Sequence, residues 1–385
     1  MGGEQSREET RYVSDDKKLQ DAIDKERERL KEEKYRREKE RQTKKLEAYL
    51  EKQIPKLQNY EFGNSLGKDA FSSIPCSDMK VIKIVVFGPT GAGKSCFINM
   101  VQHVVEGRSF EQCNAQTQST GKEGTIHLES HLNNYNFRLL DTRGFFEERT
   151  YMSELDSILS GGIKVDELIK RDTDNMQGRV SPTASQVSSL ADRVHGLICV
   201  LDYDDPRFNM YNDRMKEYRK QFKKEGYSPV SVVVYKSHGD IPDEEAKERT
   251  AEAASAIGSP IDRTFILRNH IASSEKEVTV PSKVALIQAL ETALIGAEMY
   301  VKIKKLADTK NRKKTDMTLD KFLKEARARH GWKDDDVTNI KETFNKNDIY
   351  DLASLKLFWP DIKDDVKKWG VRLFLGKELE RTDVH

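Results

Sequence analysis

Residues 81–106 read VIKIVVFGPTGAGKSCFINMVQHVVE. The first seven are almost all apolar and rich in β-branched side chains, the pattern of a buried strand. The last eleven carry apolar residues at helical spacing. Between them Gly88-Pro89-Thr90-Gly91-Ala92-Gly93-Lys94-Ser95 fits GxxxxGK[ST]. A strand, a glycine-rich turn and a helix in that order are the context this motif requires. The glycines let the backbone wrap closely around phosphate groups, and successive amide N–H groups at the helix N-terminus face negative charge. In that chemistry Lys94 reaches the β- and γ-phosphates and the Ser95 hydroxyl ligates Mg²⁺. Gly88, Pro89, Thr90, Gly91, Ala92, Gly93, Lys94, Ser95 and the adjoining Cys96 are therefore the candidate nucleotide contacts.

The chain on either side has matching periodicity. TIHLES (125–130), FRLLD (137–141), GLICVLD (196–202), VSVVVY (230–235) and TFIL (264–267) read as strands, with helical stretches between most of them. Such alternation predicts an α/β fold of the P-loop, GTPase-type class, a mostly parallel sheet with helices on both faces. TIHLES and FRLLD are joined only by a short polar link containing Asn133-Asn134, which predicts a hairpin inserted in the sheet. Residues 172–190 read as a polar loop.

Further site candidates fall at strand ends. Asp141-Thr142-Arg143-Gly144 closes FRLLD, about fifty residues after the phosphate loop. An acid there holds Mg²⁺ through water, and the Gly144 amide meets the γ-phosphate. Ser237-His238-Gly239-Asp240 follows VSVVVY and fits a loosened base-reading pattern, with His238 and Asp240 as contacts to guanine. Asn269, after TFIL, is placed to meet the guanine O6. Between the P-loop and DTRG, Thr117, Ser119 and Thr120 are candidates to close the Mg²⁺ shell, and Thr120 is chosen by its distance before the strand. Gly144 is followed by Phe145-Phe146, neither of which can orient water. Slow hydrolysis is the expectation, or a charge supplied from elsewhere. Lys94, Thr120 and Arg143 are the catalytic candidates, the plain alternative for Arg143 being a solvated side chain.

The whole chain has 385 residues, with Lys+Arg 66 against Asp+Glu 65, a net charge of +1 and 36% hydrophobic residues. That balance excludes a globally basic nucleic-acid binder. The low apolar fraction implies solvated helix beside compact cores. Cys76, Cys96, Cys113 and Cys199 include no CxxC pair, and no signal peptide precedes them, so a reducing, cytoplasmic setting is expected. No apolar run reaches the ~18 residues of a spanning helix. His127, His195 and His270 have no metal spacing. Residues 1–15 read as a disordered, polar N-terminus and 16–55 as a charged helix ending at Pro55, with a coiled coil open as an alternative. A nucleotide domain at 78–305, a basic link and a helical domain at 316–385 follow. The last contains Trp332, Trp359 and Trp369, all the tryptophans of the chain. Met1-Gly2-Gly3-Glu4-Gln5-Ser6 fits the myristoylation signal, with Gly2 as acceptor. One acyl chain anchors only marginally. The helix over 16–53 adds 14 basic against 11 acidic residues, a poor polybasic patch.

VFGPTGAGKSCFINMVQHVVEG, LLDTRGF, Ile158-Leu159-Ser160-Gly161-Gly162-Ile163 and RVHGLICVLD together resemble the interferon-induced protein 44 group of P-loop GTPases, over about 80–300. That resemblance implies a dynamin-related GTPase-type fold, GTP/GDP and Mg²⁺ binding, and a link to innate antiviral responses. The charged N-terminal helix departs from the group, so partner and location do not carry over. The tail resembles a sterile alpha motif along Asp351-Leu352, Asp361-Ile362, Val366, Gly370-Val371 and Gly376, which implies protein partners or self-association. The expected protein is a nucleotide switch or self-assembling GTPase with a membrane surface within reach of its N-terminus. The alternatives are a nucleotide-holding scaffold with negligible turnover, and an ATPase.

Overall fold

The computed structural model describes residues 5–72, 74, 76–113, 115, 127–145, 152–169, 189–205, 208–235, 243–268, 270, 277–315, 319–347, 349, 352–366 and 368–381. The chain divides into two compact units, Met1–Val301 and Lys302–His385.

The first unit opens with α1 (Gln5–Gln58), 54 residues long. The charge pattern predicts a start near residue 16, but the stretch expected to be disordered is helical from Gln5 onward. Residues 5–54 contain neither glycine nor proline, and charged neighbours pair along the surface, as in Arg29–Glu26 and Arg37–Glu33, each at 2.7 Å. Pro55 does not end the helix. It lies in the last turn, costs one backbone bond, and still accepts from the Asn59 amide at 3.0 Å. Ile23, Leu30 and Tyr35 are exposed, whereas Leu46, Tyr49, Leu50, Ile54 and Leu57 meet the core. The amphipathic part of α1 is thus its C-terminal third.

The sheet comprises β1 (Ile82–Phe87), β2 (Glu129–His131), β3 (Phe137–Asp141), β4 (Gly196–Asp202), β5 (Val230–Tyr235) and β6 (Thr264–Arg268). Its order is β2-β3-β1-β4-β5-β6. All pairings are parallel except β2 with β3. The expected hairpin exists, but it forms the edge of the sheet, and β2 is only three residues long. α2 (Lys94–Glu106), α3 (Met152–Leu159), α4 (Phe208–Glu225), α5 (Asp243–Ile257) and α6 (Val280–Thr315) flank the strands in sequence. β4 is buried at every residue, as a central parallel strand covered on both faces must be. This is an α/β fold with a mostly parallel sheet, in which the glycine-rich loop joins β1 to α2.

The basic link expected at Lys302–Lys314 is helical, as the end of α6. α6 is also long and apolar enough to cross a membrane by length and composition over Val280–Asp308, with 67% of its most apolar window buried within the protein. An uninterrupted apolar run is missing from the sequence there because scattered charges break it up. The packing is that of a core helix.

In the second unit, α7 (Leu319–His330), α8 (Asp334–Lys346), α9 (Leu352–Ile362) and α10 (Trp369–Arg381) enclose their own core, centred on Phe322, Leu323, Phe344, Leu355 and Leu375. Trp332 is buried in it and Trp359 packs against it. Glu378 of α10 is buried and accepts from Arg329 Nη1 at 2.5 Å and His330 Nε2 at 3.1 Å, both on α7.

Candidate functional site

β1 stands between β3 and β4, so the chain leaves it where the strand order reverses. Crevices at such switch points, beyond the carboxyl ends of the strands, are where open α/β sheets bind ligands. The loop 88–95 begins there. Gly91 and Gly93 take φ of +84° and +91°, the left-handed region in which a side chain is strained. At Gly88 a Cβ would lie 2.1 Å from the Val200 carbonyl oxygen, so the loop can leave the sheet only without a side chain. The Lys94 side chain is buried and donates from Nζ to the Pro89 carbonyl at 3.2 Å, folding back over the loop. Its positive charge reaches Cys199, whose thiol burial pushes well above the ordinary range while Lys94 pulls it partly back.

DTRG lies against this loop. The Ser95 hydroxyl donates to Asp141 Oδ2 at 2.7 Å, and Asp141 is fully buried. Phe145 N donates to the Gly88 carbonyl at 3.3 Å and Thr90 N to the Phe145 carbonyl at 2.9 Å, forming a parallel bridge between 89 and 145. Gly144 is pressed so closely to Thr90 that a Cβ there would lie 2.6 Å from Thr90 Cα. The Phe145 ring is buried, 5.3 Å from Phe87 and 5.2 Å from Tyr218. An aromatic where many nucleotide sites need a polar group thus serves as the anchor that fixes DTRG on the phosphate loop.

The glycine cradle, the Lys94 ammonium and the Ser95–Asp141 oxygen pair fit a magnesium-bound triphosphate. Hard oxygen donors and few protein ligands suit Mg²⁺, which keeps waters and takes phosphate oxygens. Among the described residues no three His, Cys, Asp or Glu side chains gather as a metal cluster.

Arg143 departs from the solvated alternative. It is only 8% exposed, so it is not a solvated side chain. Its Nη1 donates to the Ile169 carbonyl at 3.0 Å. A catalytic role would require it to leave that bond. Gly2, Thr120, His238, Asp240 and Asn269 lie outside the described residues, as do Thr117 and Ser119.

Two residues not anticipated from sequence join the site. Asn99, buried on α2, accepts from Ala115 N and donates to Ala115 O, both at 2.9 Å. It clamps the segment that leads into 116–126. A buried amide within the apolar run Phe97–Val101 was the available signal. Glu129 stands opposite Asp141 in the β2–β3 ladder. Burial, then the negative charge of Asp141, holds its carboxyl above the usual range. Beside it, burial lowers the His131 imidazole below its ordinary value, against an opposing pull from Asp141. Glu129 and His131 line a cleft of about 510 Å³ along the β2 edge with Glu106, Arg108, Asn133 and Asp166.

No family model matches the chain, and no curated protein does so significantly. Among solved structures it is similar to Toc33 from Arabidopsis thaliana in complex with Mg²⁺ and GMPPNP, at 13% identity and a TM-score of 0.34, over 60% of this chain and 90% of that one. It is also similar to two point variants of SsGBP, at 16% and 15% identity and TM-scores of 0.26 and 0.27. Those alignments cover 59% and 60% of this chain and 57% of each of the others. These likenesses are distant.

Proposed function

We propose that the chain is a GTP-binding protein that takes guanine nucleotide with Mg²⁺ at the loop 88–95 and turns it over slowly. The observation that carries this reading is the Ser95–Asp141 contact at 2.7 Å, which brings the hydroxyl of the P-loop and the carboxylate of DTRG together beside the glycine cradle. Ser95 and Asp141 would hold Mg²⁺, which would supply charge neutralisation to the phosphates. Lys94 turns from the Pro89 carbonyl to the phosphates, the loop amides bind the β-phosphate, and the Gly144 amide faces the γ-phosphate. Guanine preference rests on the sequence at Ser237–Asp240. Slow turnover is favoured by Phe145, which is committed to the core and cannot orient water. The resemblance to the interferon-induced protein 44 group adds an innate antiviral role to this proposal. The likeness of the tail to a sterile alpha motif adds protein partners or self-association, and Gly2 adds acylation and a membrane surface.

Calorimetric titration with GTP·Mg²⁺ and with ATP·Mg²⁺ tests the reading. GTP is expected to bind at least tenfold tighter, and Lys94→Ala to weaken both more than about a hundredfold, since it removes a charge-assisted contact. Equal affinity for the two nucleotides sinks the guanine assignment. Asp240→Asn should move preference toward xanthosine triphosphate, and an unchanged preference removes Asp240 from base reading. Turnover should stay near the ~10⁻³ s⁻¹ order of unassisted GTPases. A rate that rises with protein concentration would favour catalysis by self-association over a nucleotide-holding scaffold.

A further inference from the structure

The segment 161–169, which follows α3, runs beside His127 and Leu128 at the entry to β2 as a strap. At its start Gly161 has φ +75°, and a Cβ there would lie 2.6 Å from the Asp192 carbonyl oxygen, so the backbone is seated closely. It then makes a tight turn. Glu167 N donates to the Lys164 carbonyl at 3.0 Å, Lys164 N donates to Glu167 Oε2 at 2.7 Å, and Asp166 is left-handed at φ +65°. After the turn the strap pairs with the entry to β2. Leu128 N donates to the Glu167 carbonyl at 3.0 Å, Asp166 N donates to the Leu128 carbonyl at 2.8 Å, and His127 bridges Leu168 in antiparallel fashion. It ends at Ile169, which is fully buried and whose carbonyl holds Arg143.

These bonds close a circuit. From Asp141 the ladder leads across to Glu129, back one residue to Leu128, over to the strap, along it to Ile169, and through Arg143 back to DTRG. In sequence the β2 entry directly follows 116–126, which contains the candidate Mg²⁺ threonine. The strap is the weak member of the circuit. Residues 164–167 are exposed, and the backbone bonds that tie them to the strand side of the fold run to Leu128, the profile of a segment that opens locally without global unfolding. The guanidinium is its fixed member, buried and bonded to a buried carbonyl.

Resting on the nucleotide reading above, we propose that Arg143 is a positioning residue that couples DTRG to the strap 161–169, so that engagement of a triphosphate at Asp141 and Gly144 tightens the grip of the strap on the β2 entry at His127–Leu128. DTRG already lies on the cradle, and a triphosphate that meets the Gly144 amide holds it there more firmly. Arg143, bonded to the Ile169 carbonyl, passes that restraint to the end of the strap, and the bonds at Leu128 and Asp166 report the change. The physical warrant is a loosely held element biased by the site through named bonds.

Hydrogen exchange on the full chain, resolved to Leu128 and Asp166, tests this with GDP·Mg²⁺ and GMPPNP·Mg²⁺ at concentrations saturating each variant. In the wild type the triphosphate analogue should slow exchange of these two amides about tenfold relative to GDP, a coupling of ordinary size. In Arg143→Met that difference should fall below about twofold. Glu167→Ala removes the carboxylate that closes the strap turn and leaves Arg143 untouched. It should give the same collapse, and it carries the test if the buried Arg143→Met substitution prevents folding. A role confined to stability would lower protection equally with both nucleotides. That outcome, a nucleotide-dependent difference that persists in the variants, or its absence in a wild type with a protected phosphate loop each overturns the proposal. A wild-type phosphate loop that neither nucleotide protects overturns the nucleotide reading itself.

Discussion

Gly88 shows how little tolerance the site has at single positions. A methyl group there would lie 2.1 Å from the Val200 carbonyl oxygen, and backbone on a central strand cannot swing aside. Gly88→Ala is expected to destabilise the fold by about 2–3 kcal/mol through overpacking, seen as a lower urea midpoint with an unchanged slope. His195 gives a pH prediction. The Lys83 amide donates to its Nδ1 at 2.9 Å, so Nε2 carries the proton and meets the Leu190 carbonyl at 3.0 Å. Burial above all, and then the Lys83 charge, lower its pKa to about 4, against an opposing contribution from the Leu190 bond. The unfolded chain takes up a proton at about 6.5, so it binds more protons than the native state between the two values, and stability falls as pH drops through that window. The gap sets the loss at about 3 kcal/mol. Chemical denaturation from pH 7 to pH 4 should show this loss in the wild type and a flatter profile in His195→Gln. Equal profiles would mean that other groups dominate. At this scale the phosphate loop was legible because glycines, Lys94 and Ser95 act through local backbone geometry. Arg143 was not, because its partner Ile169 lies 26 residues away and a charged residue on a loop reads as solvated. Phe145 was legible only as a missing polar group, since its anchoring role depends on Phe87 and Tyr218, which come from other elements.

Among elements, the exit of α1 is fastened by one buried carboxylate. Glu298 on α6 accepts from Tyr60 Oη at 2.7 Å and from the amides of Gly63 at 2.9 Å, Ser65 at 3.2 Å and Leu66 at 2.7 Å. Burial, then the negative charge of Glu298, pushes the Tyr60 phenol far above its usual range. The carboxylate thereby turns a loop with three otherwise unpaired amides into a fixed one. Glu298→Ala leaves four donors without their acceptor and should cost about 3 kcal/mol or more, with faster exchange at residues 63–66. Glu298→Gln keeps one acceptor oxygen and should lose less. If the two variants are equally destabilised, packing and not hydrogen bonding is responsible. The strands β3, β4 and β5 were legible to the residue, because an apolar run bounded by polar turns sets its own limits. β2 was overread because its edge position asks for only three paired residues, the strap taking the next two. Pro55 was overread as a terminator because a proline near a helix C-terminus removes one bond without blocking the turns that follow.

Over the whole molecule, the two units have separate cores and separate buried charges. The first is organised around the sheet, and the second around Phe322, Leu323, Phe344 and Leu355, with Glu378 clamped by Arg329 and His330. Arg329 is half-exposed and Glu378 buried, so removing the guanidinium takes one charged donor from a carboxylate that His330 still meets and should cost about 1–3 kcal/mol. Ligand binding stabilises only what folds to form its site, by about 2.7 kcal/mol at a hundredfold excess over Kd. The two perturbations should therefore separate in a calorimetric scan of the full chain. GTP·Mg²⁺ is expected to raise the transition that Glu298→Ala lowers, because both act on the first unit. Arg329→Ala, which leaves His330 on Glu378 but removes the guanidinium, is expected to lower a different transition and to leave the nucleotide-induced shift in place. If Arg329→Ala abolishes the nucleotide shift, or moves one single transition together with Glu298→Ala, the units unfold as one cooperative body.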